Sequence, residues 1–126
     1  LVVHLGGNDL TGIMGKALIL KVMDDLRAYK AQNPSTKIIW SAIVPRLYWG
    51  PSHHPKKMHK ARKGVNREVA RVVSSELGSV IWHPEITARR PELFRPDGVH
   101  LSDIGLELFL DDFREGLLAK LLGRLG

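Results

Sequence analysis

Three short apolar runs, the first stopping at Gly, the second at Pro and the third at His83-Pro84, and each separated from the next by a longer amphipathic stretch, restrict this chain more than any other feature. The runs are Leu1 to Leu5, Lys37 to Val44 and Ser79 to Trp82. Between them, Leu18, Val22, Leu26 and Tyr29 recur at helical spacing, as do Ala61, Val65, Val69, Val72 and Leu77. Strand, helix, strand, helix, strand in that order forces the strands to run parallel, because each helix carries the chain back to the end from which it started. The expected fold class is α/β, a parallel sheet with helices on both faces. A last helix is expected after Ser102, with an apolar stripe through Leu106, Phe109, Leu110, Phe113, Leu117 and Leu121. No strand follows it.

The local punctuation agrees with this pattern. Asn33-Pro34-Ser35 ends the first helix, Pro45 stops the second strand, and Gly78 is placed to cap the second helix. Residues 46–55 and 83–96 are rich in Pro and aromatic or His residues and follow strand carboxyl ends, where open α/β sheets place ligands. No internal repeat or low-complexity segment divides the 126 residues, which are expected to form one domain.

Composition narrows the class. No apolar run approaches the roughly 20 residues that span a bilayer, so no membrane span is expected. There is no cysteine, which removes disulfide and thiol chemistry and suits a reducing compartment, though many secreted proteins lack disulfides as well. The formal net charge is +6; it favours association with anions without dictating a fold.

Two short motifs carry the chemistry. Gly6-Gly7-Asn8-Asp9 ends the first strand in a tight turn that presents Asn8 and Asp9 at the ligand end of the sheet. Asp97-Gly98-Val99-His100 lies far along the chain at a corresponding position. A carboxylate three residues before an imidazole suits a general base: the carboxylate orients one ring nitrogen and leaves the other to accept a proton. A side-chain amide on a rigid turn suits an oxyanion. Either motif alone reads as an ordinary turn; together, in order and at the right ends of the pattern, they mark a site formed by Asn8, Asp97 and His100.

These residues resemble the third and fifth sequence blocks of the SGNH hydrolases, also called the GDSL esterases. The strand before the first motif, the strand ending at Pro45, and Leu101-Ser102-Asp103-Ile104-Gly105 entering a helix are similar to that family in the same order. The wording Val3-His4-Leu5-Gly6-Gly7-Asn8-Asp9-Leu10, with Arg95-Pro96-Asp97-Gly98-Val99-His100-Leu101-Ser102, most resembles vertebrate members associated with retroelement reading frames.

The resemblance implies a flavodoxin-like three-layer fold and hydrolysis of a small ester or acylated substrate through a serine acyl-enzyme. Asn8 would be the oxyanion donor, with Gly6, Gly7 and Asp9 around it, and Asp97 and His100 the triad members. No metal or organic cofactor is implied. The family's Gly-Asp-Ser block and the glycine of its second block are absent. Ser35, Ser41, Ser52, Ser74, Ser75, Ser79 and Ser102 are the serines present, and none stands in a Gly-Asp-Ser or Gly-x-Ser-x-Gly context. The chain therefore reads as an N-terminally truncated domain, inactive alone, whose first partner is the missing N-terminal segment. Its Leu1 to Leu5 strand is expected to be a raw sheet edge.

Other residues carry a bland reading beside a sharp one. His53, His54 and His59 could suggest a metal, but neighbouring Lys56, Lys57 and Lys60 oppose a cation and no carboxylate completes a set, so a basic loop is expected. Lys56 to Arg67 reads as a solvated helix face, with nucleic-acid contact as the alternative, in which the domain is a non-catalytic binding module. Trp40 and Trp82 are expected in the core. Tyr48 and Trp49 could line an acyl pocket or anchor their loop. His4 is expected to be a satisfied core histidine, and His83 reads either way.

Overall fold

The structure is a computed structural model and describes residues 1–4, 7–12 and 15–125, with side chains for all of these except 7, 8, 121 and 123–125. Three strands, β1 (Val2–His4), β2 (Ile38–Ser41) and β3 (Gly78–Ile81), form a parallel sheet in the order β1-β2-β3. Val3 pairs with Trp40, and Trp40 with Val80. The helices are α1 (Gly7–Gly12), α2 (Gly15–Gln32), α3 (Pro55–Val72) and α4 (Asp103–Leu125). This is the α/β architecture expected from the alternating pattern.

The main core forms where α2 and α3 cover one face of the sheet. Leu18, Val22 and Leu26 of α2 meet Val65 and Val69 of α3 over Ile38 and Trp40. Local chemistry sets the helix limits. The Asn33 N–H and side-chain amide both donate to the Tyr29 carbonyl, at 2.9 and 3.1 Å, and close α2 before Pro34. Pro55 opens α3, where its missing N–H costs nothing, and the His54 ring accepts a hydrogen bond from the Lys56 N–H.

Helix α3 runs on into a π-helical turn over Val73–Leu77. Gly78 does more than cap it: a Cβ at this position would lie 1.8 Å from the Ile38 carbonyl oxygen. Close approach of β3 to β2 is therefore what requires glycine.

A second, smaller core of Ile86, Leu93 and Phe94 is completed by Val44, Leu101, Leu108 and Phe109. It holds the 83–102 segment against α4. Ser102 caps α4 as expected, its hydroxyl accepting from the Gly105 N–H.

Four expectations are corrected. Gly7-Asn8-Asp9 begins the short helix α1 instead of a loop, with acidic Asp9 in its first turn, where the helix dipole favours a negative charge. Trp82 is 50% exposed, because β3 ends at Ile81 and the next residue turns outward. His4 is satisfied by Ser41 but lies outside the core, exposed overall with its ring partly buried, because β1 is at the edge of the described sheet. The apolar stripe of α4 is only half used: Phe109 and Phe113 are partly buried, while Leu106, Leu110 and Leu117 are exposed.

Candidate functional site

The Asp97–His100 turn is built by backbone first. Arg95 and His100 face each other across it, the Arg95 N–H donating to the His100 carbonyl at 2.8 Å, and the Gly98 N–H donates to the Arg95 carbonyl. Gly98 takes φ 72°, a left-handed conformation that glycine adopts without a Cβ penalty. A bridge between Phe94 and Leu101 and a bond from the Ser102 N–H to the Leu93 carbonyl tie the turn to the small core.

Asp97 then orients His100. One carboxylate oxygen accepts the N–H groups of Val99 and His100, at 2.8 and 3.0 Å. The other lies 2.5 Å from His100 Nδ1. The His100 ring and these two N–H groups hold the Asp97 carboxyl far below the usual carboxylate range. An ionised carboxylate on Nδ1 selects the tautomer with its proton there, so Nε2 is left as the acceptor. Both side chains are exposed. The pair is thus a preoriented carboxylate–imidazole open to solvent, an arrangement chemically able to accept a proton at Nε2.

Of the six residues singled out in the sequence, Asp97 and His100 are brought together. Gly6 and the Asn8 side chain lie outside the described residues, so the geometry of the amide relative to His100 is not described. The Gly7 and Asn8 backbones belong to α1. Asp9 is exposed on that helix, and among the described residues no hydrogen bond or ion pair joins it to Asp97 or His100.

The dyad turn is docked on the loop after β2. The Gly98 carbonyl accepts the N–H groups of both Leu47 and Tyr48, at 2.8 and 3.0 Å. Tyr48 is exposed, whereas Trp49 is buried in the main core and anchors the loop. The root of this loop is held by Asn66, whose buried amide accepts from the Ile43 N–H at 2.8 Å and donates to the Ile43 carbonyl at 3.0 Å. The Asn66 amide thus satisfies both backbone polar groups of Ile43 just beyond the end of β2.

Sequence reasoning missed a second polar chain. The rings of His4 and His83 both contact the Ser41 hydroxyl, His4 Nδ1 at 2.9 Å and His83 Nε2 at 2.7 Å, while His83 Nδ1 lies 2.8 Å from an Asp112 carboxylate oxygen. With Nδ1–H of His83 donating to Asp112, Nε2 accepts from Ser41, whose oxygen accepts from His4. Burial pushes the His83 pKa down, with Asp112 opposing it. Ser41 is fully buried, so this Ser-His-Asp set presents no nucleophile to a substrate. Strand register brings the set together: His4 pairs with Ser41 and Ser41 with Ile81, two residues before His83.

Each histidine of the 53–59 segment has its own contact. His53 Nε2 meets the Thr11 carbonyl, His54 caps α3, and His59 meets Arg62. Among the described residues no group of three or more His, Asp or Glu side chains could hold a metal, and no helix is long and apolar enough to cross a membrane.

A large cleft of about 1010 Å³ opens beside the Leu47 loop, between α3 and the segments after β2 and β3. Neither Asp97 nor His100 lines it. It shares Leu47 with the loop that holds Gly98.

No known family model and no curated protein matches the chain. Among solved structures it is similar to the esterase domain of the ZfL2-1 ORF1 protein from the zebrafish ZfL2-1 retrotransposon, with 26% identity and a TM-score of 0.66 over 90% of this chain and 69% of that one.

Proposed function

We propose that this chain, which resembles the retroelement-associated SGNH hydrolases in sequence and a retrotransposon esterase domain in fold, supplies the acid–base half of a serine ester hydrolase. The observation that carries the reading is the Asp97–His100 pair, held by backbone and leaving Nε2 open as an acceptor. His100 takes the proton of a serine hydroxyl as its oxygen attacks the acyl carbonyl carbon. Asp97 stabilises the resulting imidazolium, and Asn8, with Gly6, Gly7 and Asp9 about it, serves the oxyanion. The proton then passes to the leaving alcohol oxygen, and water repeats the sequence on the acyl-enzyme. Residues 1–126 act in this reading as one domain.

The nucleophile belongs to a Gly-Asp-Ser strand that this sequence does not contain, so the 126 residues alone hydrolyse no ester. Hydrolysis of p-nitrophenyl acetate tests this in two steps. The chain alone is expected to match its own His100→Ala variant at background. With a strand ending in Gly-Asp-Ser joined ahead of Leu1, turnover is expected that His100→Ala removes. His100-dependent turnover by the 126 residues alone overturns the inactivity, and turnover of the extended chain that survives His100→Ala overturns the role of the dyad.

A second reading, from a different class, is a binding module on the hydrolase scaffold that contacts nucleic acid through the Lys56 to Arg67 face. In its favour, Lys56, His59, Lys63 and Arg67 all border the concave cleft beside α3.

A further inference from the structure

The cleft is lined by cations from three directions. Lys56, Lys63 and Arg67 come from α3, Arg46 from the loop after β2, and Arg89 from the segment after β3. None of the lining residues is a carboxylate. Among the described residues Lys56, Lys63 and Arg89 have no ion-pair partner. Burial first, then Arg62 and Lys63 of the same helix and Arg89 from the segment after β3, push the His59 pKa down. Like charges gathered in a recess repel one another, and an anion entering it relieves that repulsion.

The shape selects among anions. Lys56, His59, Lys63 and Arg67 fall on one face of α3 at intervals of three and four residues, a row about 16 Å long at 1.5 Å per residue. That is far longer than one phosphate group. The volume lies at the top of the range of about 300–1,000 Å³ typical of small-molecule pockets. Between the cations the lining is apolar, with Ile43, Trp49 and Ile86 buried, while Trp82, also in the lining, is half exposed. A row of cations facing an exposed aromatic is the arrangement by which proteins hold single strands, phosphates on the charges and bases stacked on the ring.

We infer that this cleft is a binding site for a short stretch of single-stranded nucleic acid, with phosphates along Lys56, Lys63 and Arg67 and a base stacked on Trp82. The assignment rests on the binding-module reading above and gives it a place and a ligand class.

The test is fluorescence anisotropy of the 126-residue chain with a fluorescein-labelled ten-nucleotide oligouridylate, repeated with oligothymidylate. Binding is expected to weaken steeply with salt, with a log–log slope of about −2 to −3.5, as three to five phosphate contacts on a single strand give. The triple variant Lys56→Ala, Lys63→Ala, Arg67→Ala is expected to weaken binding at least tenfold. Trp82→Leu is expected to weaken it and to remove the ligand-induced quenching of indole fluorescence. The control Lys16→Ala, Lys21→Ala, on exposed positions of α2, is expected to bind like the parent. Circular dichroism of each variant verifies that it is folded.

Oligonucleotide binding that survives both cleft variants overturns the cleft assignment and leaves the binding-module reading standing. No binding at 20 mM salt overturns both. Equal affinity for inorganic polyphosphate, with no effect of Trp82→Leu, reduces the site to a general polyanion sink and overturns the nucleic-acid assignment. Tighter binding to phosphatidylserine vesicles than to the oligonucleotide overturns it in favour of a lipid surface.

Discussion

Asp97 holds both the backbone and the ring of His100. One of its carboxylate oxygens accepts the His100 N–H at 3.0 Å, while the other lies 2.5 Å from the same residue's Nδ1. A single side chain thus sets the position and the tautomer of the residue assigned as base. Asp97→Ala is expected to free the Val99 and His100 amides, which lose their acceptor. Hydrogen exchange at these two amides should quicken by about tenfold or more, while the core amides of β2 stay protected. Unchanged exchange at Val99 and His100 would show that the turn is held without Asp97.

Gly98 is expected to tolerate no side chain. Its φ of 72° and the 3.0 Å that would separate a new Cβ from the Tyr48 Cβ both oppose alanine. Gly98→Ala should cost about 1–2 kcal/mol in urea unfolding, the penalty of an L-residue in the left-handed region. Gly78→Ala should cost more, because its Cβ would strike the Ile38 backbone and the β2–β3 pairing would have to move. A reversed order of the two variants would contradict these contacts.

Acid should destabilise the fold in a window set by histidine. Burial lowers the pKa of His83 and of His4 from the usual 6.5, with Asp112 partly restoring the first and the nearby His83 adding to the effect on the second. The unfolded chain therefore takes up protons on these side chains at a higher pH than the folded chain does. Stability is fully present above 6.5 and falls as pH drops below that value toward the lowered folded pKa values. The urea midpoint should decline between pH 7 and 5, and His83→Gln should flatten the decline. Asp97 acts in a separate window, since its depressed carboxyl contributes above 3.8 and loses that contribution on further acidification. A midpoint that holds or rises from pH 7 to 5 would refute the histidine window.

The β1 edge should govern self-association. Leu1 and Val2 are 47% and 48% exposed, and β1 pairs with β2 alone among the described strands. Val2→Lys places a charge on that edge, a common device against strand addition. Light scattering of concentrated protein should fall in the variant while its circular dichroism stays the same. Equal scattering would place the association elsewhere.

The parallel sheet and the helix faces of Leu18, Val22, Leu26, Val65 and Val69 were legible because periodicity reports directly which side of an element is buried. The Asp97–His100 pair was legible because its spacing of three residues is local. Trp82 was misread for the opposite reason. Its neighbours Val80 and Ile81 belong to a strand, and nothing in the sequence marks that pairing stops one residue earlier. The Ser41, His83 and Asp112 contacts join residues 29 and 42 positions apart, so only the assembled sheet and α4 reveal them. The α4 stripe repeats with helical period, yet the period cannot say how much of the stripe finds a partner.

One oxygen atom joins the turn that carries the dyad to the wall of the cleft. The Gly98 carbonyl is held by Leu47 and Tyr48, and Leu47 is also part of the cleft wall. Whatever shifts that wall on entering must carry the carbonyl with it or break two hydrogen bonds, and His100 stands two residues further on. An occupant that displaced Leu47 would therefore reach the Asp97–His100 turn through its backbone.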